Sequence, residues 1–451
     1  MKAYADYCET GLTWWPQAPA HWSLQRLRFV ARVNPGRQTA GLSDDTEVSF
    51  VPMEAIGERG SLDLASSRPL GDLTTGYTPF ANGDVVLAKI TPCFENGKGA
   101  LMDGLSYGVG FGTTELHVVR PGPEVDGRYL FYLTQSHPFR SLGAGEMYGA
   151  GGQKRVPEDF VRNFRAAWPP LAEQRAIGAF LDTRTTALDR LTAAKEGLLA
   201  VMDRKRHTLI ATAVTRGIDA DVCMQESRVS FLGRIPAHWR VQRLKFVLLG
   251  IEQGWSPQCE NRVPDDDEWG VLKVGCVNGW AFDPNESKAL PAHLEPAPEY
   301  EVRRGDVLMS RANTRELVGS AALVTDVRGR LLLCDKLYRL RYSPATFDGE
   351  YLTLFLRSIV AREQMEAEAT GASGSMQNIG QDTVKNLLLP VPPVAEQTRI
   401  VDRIRQQLAG VSDAQAALTR QIDSLQSHRL ALITEAVTGQ FDVRSSAGSD
   451  Q

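Results

Sequence analysis

Two tracts of the chain carry apolar residues at a seven-residue spacing. The positions are Leu181, Leu188, Met202 and Leu209 in the first tract, and Ile404, Val411, Leu418, Leu425 and Leu432 in the second. Lys195 fills the remaining position of the first series, and adding 223 to each number of that series gives the second. An apolar heptad repeat predicts helices that pair as a coiled coil. The alternative is an amphipathic helix packed on its own domain, but the match between the tracts favours mutual, antiparallel pairing.

The helix ends are marked by proline and glycine. Pro169-Pro170 and Pro392-Pro393 open the two tracts, and Gly217 and Gly439 follow them. Proline suits a first helical turn and glycine suits the position after a last turn. We therefore predict helices within 169–217 and 392–439, followed by a disordered small and polar tail over 440–451. A second apolar stripe in the first helix is expected from Ile177, Leu191 and Leu198.

The remaining sequence, 1–168 and 218–391, alternates short β-type runs with turn signals. The runs fall at 48–51, 84–88 and 116–119, and at 271–274, 306–309 and 337–340. Segments 129–135 and 351–364 have helical character. This mixture predicts an α+β fold made of two mixed α/β domains.

The same series of motifs occurs in both halves of the chain. Pro-Ala-His-Trp at 19–22 returns at 236–239, Pro-Pro-x-Ala-Glu-Gln at 169–174 returns at 392–397, and Ala-Val-Thr at 213–215 returns at 436–438. Gly-Asp-Val at 83–85 answers to 305–307. Ordered blocks in one frame indicate an internal repeat. We predict a pseudo-twofold arrangement in which two long helices separate the two variable domains.

Polar and basic side chains cluster where loops are expected. Arg, Lys, Asn and Gln have the geometry for contacts to guanine and adenine edges. We interpret these residues as candidates for DNA contact: Lys89, Thr91, Asn96, Lys98, Gln153, Lys154 and Arg155 in the first copy, and Arg311, Asn313, Arg315, Gln377 and Asn378 in the second. The structural alternative for each is an ordinary surface turn. The basic run at 204–206 is interpreted as a solvated helix face, with phosphate contact as the alternative.

Composition limits the partners and the compartment. The 451 residues carry a net charge of −4, so a nucleic-acid role requires a local basic groove. We expect such a chain to hold DNA firmly only together with partner subunits. Six cysteines stand apart from one another, which predicts reduced thiols in a cytoplasmic protein. No apolar run is long enough to predict a membrane span.

A search for catalytic motifs is negative in this sequence. There is no phosphate-binding loop of the G-x-x-x-x-G-K-[ST] type, and the glycine string at 108–112 is not followed by a predicted helix. Asn34-Pro35-Gly36 lacks the aromatic residue of an adenine-methyltransferase motif, and the acidic run 265–268 is interpreted as a solvated loop. We predict no catalytic residue and no metal site in this chain.

The duplicated motifs, in this order, resemble the specificity subunits of type I restriction–modification systems over nearly the whole chain. The resemblance implies that each variable domain reads one half of a split target in double-stranded DNA. It also implies that the paired helices fix the spacer and help to dock two modification subunits. S-adenosylmethionine would belong to those subunits, and ATP and Mg²⁺ to the restriction subunits, so no cofactor is expected here. Because the variable domains differ while their flanks agree, we expect an asymmetric target.

Other functions remain open from the sequence. The chain could serve a related restriction system whose methylase and nuclease are fused in one partner. A coiled-coil scaffold without a nucleic-acid role is a less favoured alternative. A solitary methyltransferase would require the chain alone to bind S-adenosylmethionine.

Overall fold

The computed structural model describes residues 2–36, 41–149, 152–368, 370–373 and 376–446. The chain divides into two compact units. Unit 1 comprises Met1–Glu196 with Thr419–Gln451, and unit 2 comprises Gly197–Leu418. Each unit therefore combines one variable domain with half of each long helix.

Unit 1 begins with a series of short strands and ends its first segment in a long helix. Its strands are β1 (Tyr7–Leu12), β2 (Trp15–Pro19), β3 (Ser23–Arg26), β4 (Ala31–Val33), β5 (Glu47–Val51), β6 (Ser67–Pro69), β7 (Thr78–Ala81), β8 (Val85–Ala88), β9 (Gly99–Leu101), β10 (Val109–Gly112), β11 (Leu116–Pro121) and β12 (Arg165–Trp168). Its helices are α1 (Leu27–Val30), α2 (Gly127–Gln135), α3 (His137–Gly145), α4 (Glu158–Asn163) and the first part of α5 (Leu171–Arg216).

Two four-stranded sheets form the body of unit 1, in the orders β6-β5-β10-β7 and β4-β11-β8-β9. Strands β5 and β10 are parallel, and the other neighbours in these sheets are antiparallel. Strand β3 pairs antiparallel with β12, with Ser23 opposite Trp168. The beginning of the domain is therefore joined to the strand that leads into α5.

Unit 2 repeats this plan after α5. Its strands are β13 (Met224–Glu226), β14 (Arg234–Pro236), β15 (Arg240–Arg243), β16 (Leu248–Gln253), β17 (Gly270–Leu272), β18 (Ser287–Ala289), β19 (Val307–Ser310), β20 (Ala312–Asn313), β21 (Ala321–Leu323), β22 (Leu331–Leu332), β23 (Leu337–Tyr342), β24 (Thr370–Ser373), β25 (Met376–Asn378) and β26 (Leu388–Val391). Its helices are α6 (Gly349–Arg357), α7 (Ile359–Glu368), α8 (Gln381–Asn386) and the first part of α9 (Val394–Val437).

The sheets of unit 2 follow the topology of unit 1. The order β16-β23-β19-β21 corresponds to β4-β11-β8-β9, and β15 pairs with β26 as β3 does with β12. Smaller sheets have the orders β18-β17-β22 and β20-β25-β24. The segment predicted to be helical over 351–364 is found as α6 and α7, separated at Ser358. The α+β fold with an internal repeat is confirmed.

The long helices run antiparallel to each other within unit 1. The Asp189 carboxylate accepts a hydrogen bond from Arg429 at 2.9 Å, and the Lys195 ammonium donates to the Gln421 amide oxygen at 2.6 Å. Residue numbers thus rise along one helix as they fall along the other. Within unit 2, the Arg206 guanidinium donates to Ser412 at 2.8 Å. The heptad positions named from the sequence are buried or half-buried in the helices.

The second stripe of the first helix differs from the expected one. Ile177 is fully buried as predicted, but Leu191 and Leu198 are 46% and 48% exposed, so the prediction was wrong for these two residues. The buried stripe contains Thr185, Thr192 and Arg206 instead. Each threonine hydroxyl donates to the carbonyl four residues earlier in the helix, which satisfies its polar group within the helix, and the Thr185 hydroxyl also lies 3.1 Å from that of Tyr132. An apolar pattern could not reveal a stripe made of threonine and arginine.

The predicted disordered tail must be corrected for residues 440–446. Phe441 and Val443 are buried, and the Phe441 ring packs 5.8 Å from that of Phe180. The backbone N–H of Asp442 donates to the carbonyl of Lys2 at 2.8 Å. This segment is therefore part of the core of unit 1, and residues 447–451 lie outside the described residues.

Both long helices end before a glycine, as predicted. Gly217 has φ +75° and Gly439 has φ +70°, the left-handed conformation that closes a helix and that glycine adopts without strain. Across the described ranges, the structure contains no helix that is both long and apolar enough to cross a membrane.

Candidate nucleic-acid interface

The duplicated Glu-Gln pair joins each helix start to its variable domain. In unit 1, the Gln174 side chain accepts from the N–H of Asp126 at 2.9 Å and donates to the carbonyls of Pro169 and Glu124 at 2.8 and 3.0 Å. The Glu173 carboxylate lies 2.8 Å from the His21 ring. The Pro-x-His-Trp and Pro-Pro-x-Ala-Glu-Gln motifs are therefore in direct contact with each other.

The same contacts recur in unit 2. Gln397 accepts from the N–H of Asp348 at 2.8 Å and donates to the carbonyl of Pro392 at 2.9 Å. His238 lies 2.7 Å from the Glu396 carboxylate. The repeated Gln and His residues therefore make equivalent contacts, whereas the repeated tryptophans differ: the Trp22 indole N–H donates to Glu173 at 3.2 Å, and Nε1 of Trp239 is buried without a hydrogen-bond partner among the described residues.

In each unit, a buried tyrosine of the variable domain contacts the C-terminal end of a long helix. Tyr129 donates to the carbonyl of Val437 at 3.1 Å, at the end of α9. Tyr351 donates to the carbonyl of Val214 at 3.3 Å, near the end of α5. Burial raises the pKa of both phenols, so both remain protonated donors. Each variable domain is held by the start of one helix and by the end of the other.

Two of the polar segments named from the sequence cross in unit 1. Ile90 and Arg155 form an antiparallel bridge, and Arg155 also bridges to Tyr148. The N–H of Thr91 donates to the carbonyl of Lys154 at 2.9 Å. We call Lys89, Thr91, Lys154 and Arg155 crossing 1. The structure thus brings together residues that are more than 60 positions apart in sequence.

The equivalent segments cross in unit 2. Strand β20 pairs with β25, with Ala312 opposite Asn378 and Asn313 opposite Gln377. Strand β25 also pairs with β24, with Thr370 opposite Asn378. We call Arg311, Asn313, Gln377 and Asn378 crossing 2. Each of its members stands 222 or 223 positions after its counterpart in crossing 1.

A shared backbone hydrogen bond supports this equivalence. The N–H of Val156 donates to the carbonyl of Lys89, and the N–H of Ile379 donates to the carbonyl of Arg311, both at 2.8 Å. The two crossings therefore have the same backbone framework and different side chains. Such a framework can present two different patterns of donors and acceptors.

The side chains of crossing 1 differ in how they are engaged. Arg155 forms a bidentate pair with Glu115, with N–O distances of 2.8 and 2.9 Å, and this pair holds the pKa of Glu115 below its usual value. Lys154 is exposed. The Thr91 hydroxyl donates to the carbonyl of Gly152 at 2.9 Å. Lys154 is thus the cation best placed to meet an outside group.

Crossing 2 has a more amide-rich surface. The Asn313 side chain donates to the Asn278 amide oxygen at 2.9 Å, and its own oxygen accepts from the N–H of Thr314 at 2.9 Å. Asn378 and Gln377 are half-buried. The Arg311 guanidinium lies 6.0 Å from the Tyr338 ring centroid. Amide groups with both donors and acceptors suit contacts to adenine.

Four other candidates lie outside the crossings. Asn96 donates to Glu58 at 2.9 Å, and the Lys98 ammonium donates to the carbonyl of Met53 at 3.0 Å. Gln153 and Arg315 are exposed next to the crossings. The Lys98 contact is one that an internal structural lysine makes, whereas Gln153 and Arg315 have exposed side chains.

Other residues beside the crossings were not identified from the sequence. Tyr148 is 68% exposed and exchanges backbone hydrogen bonds with Arg155 at 2.9 and 3.2 Å. Asn278 contacts Asn313 directly. The only sequence signal for the second site is the Asn-Gly pair at 278–279, which is typical of a turn.

The rejected motifs have structural roles. Asn34 accepts from the N–H of Val118 at 3.0 Å, and its amide nitrogen lies 3.2 Å from Nδ1 of His117 and 2.8 Å from Glu158. In the acidic run, Glu268 pairs with Arg262. The basic run is exposed at 204 and 205, but Arg206 is buried, so the solvated-face interpretation was wrong for that residue.

Comparison with known proteins identifies the family. No protein-family model matches the chain. The type I restriction enzyme EcoEI specificity subunit of Escherichia coli is 30% identical over 497 aligned residues, which cover 93% of this chain and 83% of that protein. The chain belongs to the type I restriction enzyme specificity subunits. The EcoAI specificity subunit of Escherichia coli is 43% identical over 164 residues, covering 36% of this chain and 27% of that protein.

A solved structure supports the fold of this specificity subunit. It comes from work on complex assembly and conformational transition of the type I R-M system, and it matches with a TM-score of 0.61. The identity is 22%, and the match covers 94% of this chain and 99% of the solved chain. This structure supports the fold alone, and the match to the EcoEI specificity subunit confirms the resemblance inferred from the duplicated motifs.

Proposed function

We propose that this specificity subunit recognises double-stranded DNA, and that each variable domain reads one half of an asymmetric, bipartite target. The observation that carries this proposal is the recurrence of one backbone crossing with different side chains. Crossing 1 presents Lys154 and Arg155, whereas crossing 2 presents Gln377 and Asn378 at the equivalent positions. One framework with two sets of side chains is what reading two different half-sites requires.

The paired helices set the spacer between the half-sites in this proposal. They also help to dock two modification subunits, which bind S-adenosylmethionine and methylate adenine. Restriction subunits with ATP and Mg²⁺ complete the assembly in the cytoplasm. The chain itself supplies recognition and no catalytic group.

Methylome sequencing of cells that express the chain with its modification subunits tests the recognition. We expect one bipartite methylated motif in the wild type. Lys154→Ala should relax base preference in one half-site, and Asn378→Ala should relax it in the other, with single-base discrimination falling about tenfold. Gln406→Ala, on an exposed position of α9, is the matched control and should leave the motif unchanged. A motif insensitive to both crossing variants would contradict the proposal.

The helices are tested separately. Inserting seven residues into one helix should change the spacer and leave both half-site sequences intact, because the crossings lie in the variable domains. An altered half-site with a constant spacer would exclude the spacer role.

A further inference from the structure

A buried arginine and a half-buried one meet at one tryptophan in unit 2. The Arg206 guanidinium lies 4.8 Å from the Trp280 ring centroid, and the Arg357 guanidinium lies 4.9 Å from the same centroid. Arg206 comes from α5 and is 4% exposed. Arg357 is the last residue of α6. Cation–aromatic contacts of this kind gain strength when water is excluded.

Arg357 also donates hydrogen bonds to the backbone just before Trp280. Arg357 donates to the carbonyl of Val277 at 2.9 Å and to the carbonyls of Gly279 and Ala321. These bonds hold the carbonyls of the residues before and after Asn278. Arg357, which lies against the Trp280 ring, therefore fixes the backbone that carries Asn278.

Asn278 in turn orients a member of crossing 2. Its amide oxygen accepts from the Asn313 nitrogen at 2.9 Å, and the Asn313 oxygen accepts from the N–H of Thr314 at 2.9 Å. One N–H and one oxygen lone pair of the Asn313 amide are therefore engaged within the protein. The remaining N–H and lone pair of this amide then point in a defined direction. An amide that reads a base edge needs such a fixed direction.

This arrangement is costly for the fold alone. Among the described residues, neither Arg206 nor Arg357 forms an ion pair with a carboxylate, and Nε of Arg206 is buried without a hydrogen-bond partner. Burial, with the charge of Arg206 nearby, lowers the pKa of Arg357 to about 10. Cations removed from water without an ion-pairing carboxylate reduce the stability of a fold, so this cluster is better suited to positioning its neighbours than to stabilising the unit.

Unit 1 also has an arginine at the equivalent helix position, but there it forms an ion pair. The position equivalent to Arg206 is Arg429, which pairs with the Asp189 carboxylate at 2.9 Å. The counterpart of Asp189 in unit 2 is Ser412, and the counterpart of Arg357 in unit 1 is Gln135. In unit 1 the arginine is therefore paired with a carboxylate. In unit 2 the arginine at the equivalent helix position packs against an aromatic ring.

We propose that Arg206, Trp280 and Arg357 are positioning residues for sequence recognition, and that they fix Asn313 through Asn278 for one half-site. This inference rests on the proposed DNA-reading function and deepens it. The cluster belongs to unit 2 alone, so the half-site read by the first variable domain serves as an internal control.

Methylation rates of the assembled modification complex test this inference, using duplexes with single-base changes in each half-site. Trp280→Ala should lower discrimination about tenfold at one base pair of the half-site read by the second domain. Discrimination in the other half-site should stay within about twofold, and Trp280→Phe should restore most of the loss because it retains an aromatic face. Asn313→Ala should relax the same base pair, and the double variant should add little to either single variant.

Three results separate the possibilities. If the wild-type complex methylates without sequence preference, the proposed function fails and the inference falls with it. If the wild type reads a bipartite target and Trp280→Ala changes nothing, or changes both half-sites equally, only the inference is overturned. Should Trp280→Ala not assemble, Asn278→Ala replaces it, because this variant removes only the acceptor for Asn313; unchanged discrimination would again overturn the inference.

Discussion

At the scale of single residues, the repeated glutamines are buried side chains whose amides are hydrogen-bonded to the backbone. Gln174 is 1% exposed and Gln397 is fully buried, and each bonds the backbone on both sides of a helix start. A buried polar side chain is stabilising only when its partners are present. The same reasoning applies to His117, which is 4% exposed beneath crossing 1.

Removing the Gln174 amide should destabilise unit 1. Gln174→Ala leaves the Asp126 N–H and two carbonyls without partners, so the free energy of unfolding should fall by about 2–3 kcal/mol. Gln397→Ala should have an effect of similar size in unit 2. Urea unfolding measures both, and exposed Gln406→Ala should change the free energy by less than about 0.5 kcal/mol. Equal effects at the buried and exposed positions would show that these bonds contribute nothing.

His117 should make unit 1 sensitive to acid. Its Nε2 lies 2.9 Å from the carbonyl of Val156 and its Nδ1 faces the Asn34 amide nitrogen, so the neutral Nε2–H form fits and a second proton would face a donor. Burial lowers the pKa of His117.

The sign of the pH effect follows from this lowered pKa. The folded state binds fewer protons than the unfolded state, so stability from this group is present above about pH 6.5 and declines as the pH falls below it. Thermal unfolding from pH 8 to pH 5 should show a steeper acid loss in the wild type than in His117→Gln. Parallel curves would contradict this assignment.

At the scale of elements, each long helix serves two domains. The start of α5 is held by the first variable domain, and its end accepts a hydrogen bond from Tyr351 of the second. Helix α9 has the reverse assignment, through Asp348 at its start and Tyr129 at its end. The Ala-Val-Thr motif thus marks the point where a helix end meets a variable domain, and the segment after α9 continues into the core.

The segment after α9 should contribute measurably to stability. Phe441→Ala removes a buried ring that packs on Phe180, and the free energy of unfolding should fall by about 3 kcal/mol. Urea denaturation followed by circular dichroism provides the measurement. Gln440→Ala, at an exposed position beside this segment, is the control and should change the free energy of unfolding by less than about 0.5 kcal/mol. A silent Phe441→Ala variant would mean that this segment is not part of the core in solution.

At the scale of the whole molecule, charge bears on how the chain meets DNA. A net charge of −4 opposes the general attraction to phosphates that supplies most non-specific affinity. The candidate cations are few and local, and some are already paired within the protein, as Arg155 is with Glu115. We therefore predict that firm binding requires charge from partner subunits.

The isolated chain should therefore bind its target weakly. We expect a dissociation constant above about 1 µM at 150 mM salt for the chain alone, and binding at least about 100-fold tighter in the complex with modification subunits. Fluorescence anisotropy with target and scrambled duplexes measures both values. Equal affinity for the target with and without partners would contradict the dependence on partner charge.

The sequence by itself determined the repeat, the α+β class and both long helices, because heptad spacing, proline and glycine act locally along the chain. It also indicated the loop segments that carry candidate residues for DNA contact, at 89–91, 153–155, 311–315 and 377–378. Only the tertiary structure decided that these segments cross, since strand pairing over 60 positions leaves no local pattern. The buried stripe of Thr185, Thr192 and Arg206 was likewise invisible, because burial of polar groups depends on partners brought by folding. The same holds for Trp280, whose two arginines come from helices distant in sequence.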